Sequence, residues 1–153
     1  MRGCTLLLLA ACINPPLISS AQKRSDRVFD AVPLDSRGRL IERLNEYVAY
    51  ERSREYEKLY ELLYDRKGKW DDKKAYSTYR LGAEGRSGVV QEFRPTVIME
   101  ITMGDGPPTF NLIGRAKVIR KGRTREKEMG IYARLHDGEW YFTELSTVYL
   151  HID

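Results

Sequence analysis

The chain has 153 residues, with 26 Lys or Arg against 22 Asp or Glu for a formal charge of +4, and 42% of its residues are hydrophobic. That ordinary globular mixture has room for one domain with a real core; it excludes a disordered or collagen-like chain and a two-domain enzyme with separate cofactor and substrate modules. Two cysteines and two histidines exclude a disulfide framework and argue against a metal centre, so neither metal nor cofactor is expected.

The first apolar run follows Arg2 and extends from Cys4 to Ile13, where Asn14-Pro15-Pro16 breaks it. At roughly ten residues it is too short to span a bilayer as a helix. The positive start, the short apolar stretch and the small residues Ser19-Ser20-Ala21 read as a secretory signal peptide over residues 1–21, leaving Gln22 as the new N-terminus. An alternative stays open: Leu9-Ala10-Ala11-Cys12 resembles a bacterial lipoprotein box, which would anchor the chain through Cys12. The first route predicts a secreted or periplasmic protein, the second a lipoprotein anchored through Cys12. No later apolar stretch is long enough for a transmembrane segment.

Residues 22–34 mix charge with Val28, Phe29 and Val32 and read as a lead-in segment. A single domain is expected over residues 35–153. Asp35 or Ser36 can cap a helix in which Leu40, Ile41, Leu44, Tyr47 and Val48 recur at spacings of three and four. A second helix is predicted from Tyr56, Leu59, Tyr60, Leu62 and Leu63, capped at Ser53 and stopped near Gly68. Asp71-Asp72 before Ala75, Tyr76 and Tyr79 predicts a third, short helix ending at the turn-rich Gly82-Ala83-Glu84-Gly85. After Gly88 the period falls to two. Val97, Met99, Ile101 and Met103 alternate with Ile98, Glu100 and Thr102; Phe110, Leu112, Gly114, Ala116 and Val118 alternate with Asn111, Arg115 and Lys117. Lys121-Gly122 and His136-Asp137-Gly138 mark reversals, the second before a last strand running from Trp140 almost to the C-terminus. Helices followed by an antiparallel meander give an α+β fold, with N-terminal helices packed on the concave face of a curved antiparallel sheet.

The long first helix, the closely following Tyr56-Glu57-Lys58-Leu59-Tyr60-Glu61-Leu62-Leu63, the strand meander and His136-Asp137-Gly138-Glu139-Trp140-Tyr141-Phe142 together resemble the nuclear transport factor 2-like superfamily, with its SnoaL-like and ketosteroid isomerase-like domains. The last segment is similar to the Asp-Gly-x-Trp turn and final strand common there, and the resemblance covers about Asp35 to Leu150. It implies a cystatin-like cone with a pocket between the helices and the concave sheet. Such folds host isomerases, dehydratases, epoxide hydrolases and non-catalytic association domains. The isomerases use a carboxylate base with a tyrosine or carboxylic acid as oxyanion donor, a set this chain does not match residue by residue.

If Trp140 and Phe142 point into such a cone, alternation places Glu144 and Ser146 on the same face. Glu144 is then the candidate catalytic base of an isomerase or lyase, and Tyr47 and Tyr60 are candidate hydrogen-bond donors that would line the pocket with Trp140 and Ser146. The structural alternative is a Glu144 at the rim or paired with a basic side chain, and tyrosines that serve the core. His136 and His151 are isolated, without metal spacing. Lys117, Arg120, Lys121, Arg123, Arg125 and Lys127 surround one hairpin, but Glu126 and Glu128 interrupt them and no aromatics interleave, so no nucleic-acid partner is expected. Ile98, Ile113, Ile119, Tyr132, Tyr141, Leu145 and Tyr149 would face away from the helices, where a solvated sheet should be polar. That face predicts a homodimer through the sheet, with Ile113, Tyr132, Tyr141 and Tyr149 at the interface. The primary expectation is an exported, non-catalytic domain binding a small apolar ligand or a protein partner.

Overall fold

A computed structural model describes residues 27–64, 70, 72–101 and 106–143. After a 3-10 turn at Leu34–Ser36 come helices α1 (Arg37–Ser53), α2 (Tyr56–Glu61) and α3 (Lys73–Ser87). Strands β1 (Val89–Ile101), β2 (Thr109–Arg120), β3 (Arg123–His136) and β4 (Glu139–Phe142) follow. The strands form one antiparallel sheet in sequence order, curved and unclosed. The architecture is α+β. Among the described residues no helix is long and apolar enough to cross a membrane.

Each helix is placed by one apolar stripe. In α1, Leu40, Leu44, Tyr47 and Glu51 are buried at spacings of four, three and four. The helix ends where Arg54 takes a left-handed conformation and returns its backbone N–H to Glu51 and Tyr50. Asp72 caps α3 by accepting from the Ala75 N–H at 2.8 Å. This third helix is longer than the sequence predicts. Gly82 and Gly85 lie within it, because Tyr76, Arg80 and Ala83 keep a helical face buried through that stretch. The chain stops instead at Gly88, whose φ of +76° and close approach to Val118 only glycine accommodates. The second helix is shorter than expected. At Leu62 the chain leaves it to run beside β4, where Phe142 donates to Leu62 and accepts from Tyr64, both at 2.8 Å. Leu63 thus makes a parallel bridge to Phe142; the stop expected near Gly68 falls outside the described residues.

Both predicted hairpins form. Lys121-Gly122 and Asp137-Gly138 each have positive φ at both positions, the signature of a two-residue type I′ turn whose twist matches the strands. Along β2, β3 and β4 the alternation holds: Phe110, Leu112, Ala116, Val118, Ile131, Ala133, Trp140 and Phe142 are buried, while Ile113, Ile119, Tyr132 and Tyr141 stay partly exposed. The first strand departs from it. Register shifts between Val90 and Glu92 and between Pro95 and Val97 each insert an extra residue, and a bulge inverts which face the following residues present. The two insertions cancel beyond Val97, so Ile98, expected to face away from the helices, shares the face of the buried Val90 and is itself buried opposite Leu112. Val97 and Met99 are outward instead, 45% and 44% exposed.

The core gathers Val32 from the lead-in, the buried stripes of all three helices and the helix-facing side of the sheet into one cluster. Trp140 and Phe142 are completely buried, and each such side chain contributes about 1.5–3 kcal/mol. The Trp140 indole N–H donates to the Ser36 carbonyl at 3.0 Å, so its polar atom is satisfied inside that cluster.

Candidate functional site

Of the sequence-predicted ligand residues, Tyr47, Tyr60 and Trp140 are among those described. Tyr47 is buried with its ring 4.8 Å from that of Phe142, and Trp140 packs edge-on against Phe110 at 5.4 Å. Tyr60 lies at the contact of α2 with α3, its ring 5.8 Å from Tyr76, in an aromatic group that continues through Trp70 to Tyr79. Glu144, Ser146 and Tyr149 lie outside the described residues, as do Leu145 and His151. His136 is exposed, 3.4 Å from Asp137, with its ring edge-on to Tyr64. Among the described residues no three His, Cys, Asp or Glu side chains gather as metal ligands.

The open space lies beside these residues. A groove of about 710 Å³ runs between α1 and strands β1 and β2, lined by Asn45, Val48, Ala49 and Arg52 of the helix, by Gln91–Arg94 and Arg115–Lys117, and by Glu126 of β3. The helical contribution is one face at spacings of three, one and three, next to the buried Leu40–Glu51 stripe. The β1 contribution is the stretch between the two bulges. Gly114 sets the second bulge: a Cβ there would lie 2.1 Å from the Arg94 carbonyl oxygen. The floor is apolar, with Ala116 buried and Phe93 packed against the core.

The charges around this groove are unequal. Lys117 is held by Glu92 at 3.0 Å, and Glu126 stands opposite Lys117 across the β2–β3 pair. Arg94 stands directly opposite Arg115. Among the described residues Arg52, Arg94 and Arg115 have no side-chain hydrogen bond or ion pair, although Glu128 is cross-strand from Arg115. The sequence singles out none of the three, and the Arg94–Arg115 pairing depends on a register that only the bulges define.

Two polar clusters elsewhere hold the helices in place. Glu139, at the β3–β4 turn, accepts from Arg39 at 2.8–3.2 Å and from Arg43 at 2.9 Å; these donors hold its carboxyl well below the ordinary range. Glu51 is 1% exposed and paired with Arg80 of α3. Beside that pair the Tyr56 hydroxyl donates to Glu84 at 2.8 Å, and burial followed by this bond pushes its pKa up. These pairs tie helix to helix and helix to sheet. Neither Glu51 nor Glu139 lines the groove.

Set against known families and curated proteins, the chain matches no family model and no curated sequence.

Proposed function

We propose that this chain is an exported, non-catalytic binding module of the nuclear transport factor 2-like kind, with its ligand site in the groove between α1 and strands β1 and β2. The observation that carries the reading is the groove itself. Its 710 Å³ falls in the size range of small-molecule sites, and it opens on an apolar floor beside the buried cluster. The order of helices before a meander, and the hairpin at Asp137-Gly138 that delivers Trp140 into the core, support the family assignment.

Titration with the neutral dye Nile red tests the site. Binding with a blue-shifted emission is expected, and Ala49→Trp, which fills the groove from an already helical position, should abolish it while leaving the circular dichroism unchanged. Absence of binding by the parent protein, or full binding by the folded variant, overturns the reading.

The outward face of the sheet supports pairing of two copies. Val97 and Met99 add exposed apolar area beside Ile113, with Tyr132 and Tyr141 further across the sheet. Sedimentation should give a dimer at tens of micromolar, and a clean monomer there removes the pairing.

A further inference from the structure

We propose that the helix-facing side of the β2–β3 hairpin, where it runs past the end of α3, is a docking surface for the phosphate headgroups of an anionic lipid bilayer. Its residues are Arg120, Arg123, Arg125 and Lys127. None of them lines the groove, and they lie on the side of the sheet opposite the pairing face.

In the sequence, Glu126 and Glu128 interrupt the basic run of this hairpin. Strand alternation separates what the sequence mixes. Ala116 and Val118 are buried toward the helices, so their cross-strand partners Lys127 and Arg125 share that side. Two contacts fix the direction: Lys127 Nζ donates to the Ser87 carbonyl at 3.4 Å and Arg120 Nε to the Gly85 carbonyl at 3.2 Å, both in the last turn of α3. Arg123 stands directly opposite Arg120, a like-charge pair that is destabilising until an anion offsets it. Glu126 and Glu128 fall on the other side of the sheet. There they and Glu92 stand against Arg94, Arg115 and Lys117, three charges against three. Among the described residues Arg120, Arg123 and Arg125 have no carboxylate partner. Lys127 is half-buried, and burial followed by the charge of Arg120 pushes its pKa down to about 8, so these cations are close enough to oppose one another. Arg86, in the last turn of α3, adds an exposed cation at the same end.

A bilayer fits this array better than a nucleic acid. No aromatic ring interleaves the four positions to stack on a base. Arg123 to Lys127 spans only about 14 Å of strand, too short for the roughly six to ten phosphate contacts that hold a protein to a duplex. The exposed tip at Lys121-Gly122 leaves the array free to meet a flat surface. Guanidinium forks match phosphate oxygens wherever these fall on that surface, and each basic side chain beside an anionic leaflet strengthens attachment by about fivefold.

Co-sedimentation of the full chain with lipid vesicles tests the assignment. At about 100 mM salt, vesicles of equal phosphatidylglycerol and phosphatidylcholine should bind it at least about thirtyfold more tightly than pure phosphatidylcholine vesicles. Raising salt to about 500 mM should remove most of that preference. Arg123→Gln with Arg125→Gln should weaken binding roughly 25-fold without lowering the melting temperature, since both side chains are exposed. Lys73→Gln with Lys74→Gln removes the same charge at the other end of α3 and should weaken binding by less than about threefold. Equal binding to the two kinds of vesicle, or a salt-independent preference, overturns the inference. Equal losses in the two double variants also overturn it, by making net charge and not this face the cause. A DNA duplex that strips the protein from the vesicles at equal phosphate concentration overturns it too, by making nucleic acid the preferred partner. None of these outcomes bears on the groove, which Nile red reports separately.

Discussion

The two flanks of α1 meet the same sheet and end differently. Toward β4, the helix presents Tyr47 to the ring of Phe142 and its arginines to Glu139. Toward β1 and β2, the next stripe carries Asn45, Val48, Ala49 and Arg52, and the strands offer Ala116 and a bulged Gln91–Arg94. Small side chains and a locally displaced backbone leave a cavity there. The lesson is that a cavity beside a well-packed core is built by residue size and strand register together. Polarity alone does not distinguish the flanks, since both carry arginines.

Three substitutions test this contrast, the largest first. Trp140→Ala removes a completely buried ring and the bond to Ser36 from the filled flank. It should cost about 3–5 kcal/mol in urea unfolding; a loss under about 1 kcal/mol would mean that this flank is as loosely packed as the other. Gly114→Ala strikes the bulge that shapes the open flank. With its Cβ directed into the Arg94 carbonyl, β1 must shift, and a loss of about 2–3 kcal/mol is expected together with weaker Nile red binding. Unchanged stability would show that the bulge tolerates a side chain and does not fix the groove.

Glu139→Gln has the smallest expected effect, no more than about 1 kcal/mol near neutrality, because solvent screens the partly exposed arginines. Its dependence on pH identifies it. The folded-state pKa of Glu139 lies below the ordinary 4.5, so the unfolded chain binds more protons there and the stabilisation is complete above that value. It is lost as pH falls from 4.5 toward the depressed folded value. The gap between parent and variant in urea unfolding should therefore close under acid conditions; a gap constant with pH would show that the arginine contacts are not what this carboxylate contributes.

Much of the frame was legible before the coordinates. Period-two alternation identified the buried face of β2, β3 and β4 because nothing interrupts their pairing, and Asp137-Gly138 announced its hairpin because few dipeptides take two positive φ values easily. The first strand was not legible. Val97, Met99 and Ile101 alternate with Ile98 and Glu100, so apolar residues fall on both faces and the pattern alone does not say which is buried; the structure buries Ile98 and exposes Val97. The third helix was read short because Gly82 and Gly85 look like a stop, and only the burial of Arg80 and Ala83 against neighbouring elements keeps the helix going. Arg94 and Arg115 are twenty-one positions apart, and nothing local says that a bulge will set them face to face. The role of Glu139 is not legible locally, since its partners lie about a hundred residues earlier on α1.

The bridge between Leu63 and Phe142 has a consequence for the protein at high concentration. It occupies the margin of the sheet next to β4, while at the opposite margin Pro95 lacks an N–H and two bulges bend the strand. Among the described residues both borders thus interrupt the straight row of free amides on which a stranger's backbone would template itself, which disfavours fibrillar growth by strand accretion.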